Sequence, residues 1–70
     1  MVRDDWDCTE DADGKLTISK WLSSDTHAII QKNETGGWFW RVFMQGYPHG
    51  EDVAKSIGAA QRACLTDGGF

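Results

Sequence analysis

The stretch Trp38-Phe39-Trp40-Arg41-Val42-Phe43-Met44 limits what this chain can fold into more than any other. Its β-branched and aromatic residues suit a pleated surface, and Asn33-Glu34-Thr35-Gly36-Gly37 before it is a strong loop signal. Successive strand side chains point to opposite faces. Trp38, Trp40, Val42 and Met44 therefore take one face, and Phe39, Arg41 and Phe43 the other. Both faces are aromatic, and a 70-residue chain must cover them. Domains of this size bury only about 60% of the surface their unfolded chains expose.

The neighbouring segments supply the sheet. Residues 5–10 alternate polar and apolar as a half-buried strand does, and Asp11-Ala12-Asp13-Gly14 reads as a tight turn. Leu16 and Ile18 resume the alternation, which predicts a hairpin over 5–20, and Trp21-Leu22 break it. Thr26–Lys32 is expected as a third strand. Gly46-Tyr47-Pro48-His49-Gly50 is expected to break the sheet. A single helix follows, with Val53, Ile57, Ala60 and Cys64 at the spacing of one face and Gly68-Gly69 as the stop. Its start is open between Glu51, whose charge and that of Asp52 suit the positive helix end, and Ser56 as N-cap after a short strand Val53–Lys55. The reading leans to Ser56. The expected fold is α+β: an antiparallel sheet of three to four strands with one C-terminal helix packed on one face, forming a single domain over 1–70.

One short helix covers one face of a small sheet. The tryptophan face is expected under it, because tryptophan buries the most area. Phe39 and Phe43 then stay partly exposed around Arg41, a composition enriched at protein interfaces. Cover by Trp6, Trp21 or a folded-back loop as a second small core is the structural alternative, and homodimerisation through this face is a variant of the interface reading.

Charge points the same way. Six of the eleven acidic residues, Asp4, Asp5, Asp7, Glu10, Asp11 and Asp13, fall in the first thirteen positions, and the net charge is −4. Trp6 and Cys8 are interleaved among them, so the stretch reads as the outer face of a folded hairpin. Glu51 and Asp52 extend the acidic surface. The seven basic residues are scattered, which argues against direct nucleic-acid binding and for a basic protein partner. Charge kept only for solubility is the plain alternative.

Other chemistry finds little support. Thr9–Gly14 superficially matches a calcium loop, but Thr9 and Lys20 stand where Asp and a bidentate Glu are needed. His27 and His49 belong to no ligand cluster, and Ser23, Ser24 and Ser56 to no nucleophile motif. No enzyme, cofactor or metal is expected. Cys8 and Cys64 lack metal-ligand spacing, and reduced thiols or a bridge between them are both open. No apolar run reaches the roughly 20 residues of a membrane span. Met1–Asp5 has no signal-peptide character, so a cytoplasmic location in a host cell is expected.

The layout from Trp38 to Leu65, an aromatic WFWRVF strand, a glycine turn, then VAKS and the alanine-rich IGAAQRAC, is similar to that of many small phage and mobile-element proteins. With its strand, Gly36-Gly37 hairpin, second strand and helix it also resembles HicB-like antitoxin domains, although Met44-Gln45-Gly46 replaces their proline-containing signature. In size, charge and layout the chain resembles phage anti-CRISPR proteins. That resemblance implies a non-enzymatic inhibitor, monomer or homodimer, that occupies a basic DNA-binding surface of a CRISPR–Cas effector subunit. The N-terminal carboxylates would stand in for phosphates, with Phe39, Arg41 and Phe43 as an apolar anchor. An antitoxin-like regulatory module and an oligomeric virion protein are the rival classes.

Overall fold

The computed structural model describes residues 6–69. The elements are β1 (Asp7–Glu10), β2 (Leu16–Trp21), β3 (Thr26–Lys32), β4 (Trp38–Met44), β5 (Tyr47–Ala54) and α1 (Ile57–Asp67). The strands form one antiparallel sheet in the order β1-β2-β3-β4-β5, so each pairs with its neighbour in sequence. The architecture is α+β, with five strands where three to four were expected.

The additional strand runs through Gly46–Gly50, the segment expected to end the sheet. Two local features explain it. Gln45 and Gly46 have φ of 55° and 84°, the left-handed pair of a two-residue hairpin turn whose twist suits the flanking strands. Pro48 then lies in β5, an edge strand, where a missing N–H is tolerated. It stands opposite Phe43 next to a register shift, since Val42 pairs with Gly50 but Phe43 with Pro48. The bulge absorbs the irregularity that the proline signals in the sequence.

One face of the sheet carries the core. Ile18, Ala28, Ile30, Trp40 and Val42 bury against Ala60 and Cys64 of α1. Ile30, Val42 and Cys64 are the largest side chains fully removed from solvent. Trp6, Leu16, Trp38, Ala54 and Ile57 pack around this cluster. The tryptophan face of β4 is thus the one beneath the helix.

Ser56 is the N-cap, and its hydroxyl accepts from the Ala59 N–H at 3.1 Å. Glu51 and Asp52 therefore belong to β5 and not to a first helical turn. Val53, expected on the buried helix face, is a strand residue on the opposite side of the sheet and is 48% exposed. At the far end of α1, Asp67 Oδ2 meets His49 Nδ1 at 2.8 Å. Gly50 makes that approach possible, because the Asp67 carboxylate fills the space a Cβ would need.

Candidate functional site on the open face of the sheet

In an antiparallel pair, residues directly opposite each other share a face. The register therefore assembles the uncovered face row by row. The middle row runs Asp7, Ser19, Ile29, Arg41, Glu51 from β1 to β5. On one side of it lie Trp21, His27, Phe43 and Pro48, and on the other Thr9, Thr17, Gln31, Phe39 and Val53. No described helix or loop packs across these rows.

Arg41 is the centre of this face. Its guanidinium lies 5.3 Å from the Phe39 ring centroid and 5.8 Å from that of Phe43. Phe39 and Phe43 are positions 39 and 43 of one strand, so alternation alone places them on either side of Arg41. Glu51 stands directly opposite on β5, and its Oε1 accepts from Arg41 Nε at 2.7 Å. Among the described residues no other group hydrogen-bonds to Arg41, which leaves both terminal nitrogens of the fork available. Ile29, Gln31, Phe39, Arg41 and Phe43 line a hollow of about 140 Å³. Guanidinium stacked on aromatic rings and held by a carboxylate is preorganised for contact.

An aromatic ribbon flanks the hollow. Trp21 is 62% exposed and stacks on His27 with ring centroids 4.4 Å apart and planes 18° off parallel. Phe43 continues the ribbon next to His27. On the other flank Gln31 Nε2 donates to Thr17 Oγ1 at 3.1 Å. Trp21, His27, Ile29, Gln31 and Val53 were missed as site residues from the sequence. The period of β3 carries a signal for two of them, because a strand that buries Ala28 and Ile30 must turn Ile29 and Gln31 the other way. Trp21 was read as a break in alternation, but it is the last residue of β2. It does not fold back into a second core.

The acidic residues fall elsewhere and apart. Asp4 and Asp5 lie outside the described residues. All four residues of β1 are exposed. Asp7 projects to the open face, while Glu10, opposite Leu16, projects to the helix side along with Cys8. Cys8 does not hold the hairpin to the core. Asp11 is occupied in the turn, where its Oδ1 accepts from the Asp13 and Lys15 N–H groups at 3.0 and 2.9 Å. Asp13 is exposed beside it. Asp52, opposite Trp40, also faces the helix side, and its Oδ1 accepts from the Val53 N–H at 2.8 Å. The described carboxylates are distributed over both faces and one turn and do not form one array.

Both thiols are free, Cys8 exposed and Cys64 buried. Among the described residues no group of three His, Cys, Asp or Glu side chains could hold a metal ion. No described helix is long and apolar enough to cross a membrane. No protein-family model, curated protein or solved structure matches the chain.

Proposed function

We propose that this protein is a non-enzymatic inhibitor that works by protein–protein contact, of the anti-CRISPR kind, directed at a basic, DNA-binding surface of a CRISPR–Cas effector complex. The observation that carries the contact reading is the uncovered sheet face centred on Arg41. A small domain that leaves Trp21, Ile29, Phe39, Phe43 and Val53 on one side has an apolar surface rimmed by polar residues, the composition of a contact patch. The β1–β2 hairpin supplies the charge. Asp7, Glu10, Asp11 and Asp13 are all exposed on a hydrogen-bonded scaffold, which favours encounter with a basic surface. The size, charge and layout described above are what favour a phage inhibitor over other binding proteins.

A phage-plating assay in a host with CRISPR immunity tests the reading. Expression of the protein is expected to restore plaques. Replacing Asp5, Glu10 and Asp13 together by Arg is expected to abolish that effect with the circular dichroism spectrum intact. Asp11 is left in place because it holds the turn. Undiminished rescue by the triple variant would remove the mimicry of phosphates. No rescue by the wild type against any CRISPR type would remove the inhibitor reading.

A further inference from the structure

The open face has a definable occupant. We propose that it pairs with a second copy of this chain, the two sheets stacked face to face about a two-fold axis that runs along β3. The inference rests on the reading of this face as a protein-contact surface, assigns that contact to the second copy and leaves the effector to the acidic hairpins, and it makes the active form a dimer with both helices outside.

Three observations support the second copy. Size is the first. Five strands about 4.8 Å apart, most of them six to eight residues long at about 3.3 Å per residue, frame a face of roughly 500 Å², so two copies together reach the ~1,000 Å² total that a specific interface needs. Charge is the second. Of the charged side chains that the strand pairing places, only Asp7, Arg41 and Glu51 lie on this face, so Arg41 offsets one of two carboxylates and a chain of net charge −4 presents only −1 there.

Self-complementarity is the third. An axis along β3 places β2 of one copy over β4 of the other, and β1 over β5. In an isologous interface each contact then occurs twice. The row Asp7, Ser19, Ile29, Arg41, Glu51 is set against its own reverse, so each Glu51 comes over Asp7 of the second copy and the adjacent Arg41 stands where it bridges the two carboxylates. Each Arg41 comes over Ser19 of the second copy, beside that copy's Asp7. Its Nε is already held by Glu51, and its terminal nitrogens, which have no described partner, meet the Asp7 carboxylate. In the next row Trp21 faces the second copy's Phe43, ring against ring, and in the third Val53 faces Thr9 and Phe39 faces Thr17. Stacked sheets with slightly rotated strands interdigitate in this manner. The edge strands β1 stay at the rim, so Glu10, Asp11 and Asp13 of both copies, which lie on the helix side or in the turn, remain accessible.

Sedimentation equilibrium over a wide concentration range tests the pairing. The wild type is expected to approach twice 7.8 kDa. Phe43→Asp, Asp7→Arg and Arg41→Asp are each expected to weaken association by about tenfold or more, as truncation or reversal in a buried charged contact does. Asp7 and Arg41 are separated by two strands within one copy, so they couple only between copies. Mixing Asp7→Arg with Arg41→Asp is therefore expected to restore the dimer, an outcome that damage to the fold cannot produce. A monomeric wild type, or variants that fail to complement when mixed, would overturn the pairing. The plating assay separates that failure from failure of the underlying reading. A monomer whose rescue is lost in Phe43→Asp keeps the contact surface but gives it another occupant. A monomer whose rescue ignores Phe43→Asp has no functional contact there. Binding of a single-stranded oligonucleotide by the monomer, lost in Phe43→Asp, would overturn the pairing in favour of a base-stacking platform.

Discussion

Arg41 and Glu51 stand directly opposite each other on β4 and β5, joined by one charge-assisted hydrogen bond of 2.7 Å from Nε to Oε1. The Arg41 guanidinium sits between two phenylalanine rings on a face that nothing in the described fold covers. Both partners are substantially exposed, 39% and 51% for their side chains, so the bond contributes at most about 1 kcal/mol to the monomer. Its consequence is geometric, since it fixes the direction of the guanidinium fork. Glu51→Gln is expected to change urea-induced unfolding of the isolated domain by less than about 1 kcal/mol while clearly weakening self-association. Unchanged sedimentation would deny Glu51 a positioning role.

The core on the other face should behave quite differently. Ile30 is fully buried between β2, β4 and α1. Truncation to Ala removes its transfer energy and leaves a cavity, at a cost of about 2–5 kcal/mol. Seventy residues correspond to a total stability of roughly 4–10 kcal/mol. Thermal denaturation is therefore expected to find Ile30→Ala barely folded, whereas Thr17→Ala on the open face should melt close to the wild type.

Gly58 offers a gain. It occupies the first turn of α1, and a Cβ added there meets nothing within 4 Å. Alanine loses less backbone entropy on folding, so Gly58→Ala is expected to stabilise by roughly 0.5–1 kcal/mol. Calorimetry should record a higher melting temperature. A lower one would mean that the N-terminal turn of α1 is not packed as described.

The two thiols should separate chemically. Burial first, and the nearby Asp67 carboxylate second, push the Cys64 thiol up to about 12. The thiolate is the reactive form. Iodoacetamide under native conditions is expected to label exposed Cys8 and spare Cys64 until denaturant is added. Mass spectrometry showing both labelled at one rate would contradict the placement of Cys64 in the core.

At the β2–β3 turn, the hydroxyls of Ser23 and Thr26 donate to Asp25 Oδ1 at 2.8 and 3.2 Å and hold its carboxyl below the ordinary aspartate value of 3.8. A carboxyl with a lowered folded value contributes stability above 3.8 and loses it as pH falls through that folded value. Asp25→Asn is expected to melt below the wild type at neutral pH, with the difference shrinking to nothing in strong acid. A difference that persisted in strong acid would show that the carboxylate charge is not the cause.

Much of this was legible in the chain. The limits of β3 and β4, the tryptophan face beneath the helix and the Ser56 cap follow from residue type and period, because each is decided within a few neighbouring residues. Phe39, Arg41 and Phe43 share a face for the same reason. The rest depends on pairing. Pro48 reads as a breaker until an edge position and a bulge accommodate it. Trp21 joins the open face only once its register with His27 is known. The acidic residues counted as one cluster along the chain, but strand alternation and the needs of the turn sent Asp7, Glu10 and Asp11 in three directions.

The open face is expected to be buried by contact between two copies. Sedimentation equilibrium of the wild type beside the mixture of Asp7→Arg and Arg41→Asp examines this most directly. Twice 7.8 kDa for the wild type and for the mixture, with each variant alone near 7.8 kDa, is the predicted result. A wild type that stays at 7.8 kDa at every concentration would contradict it.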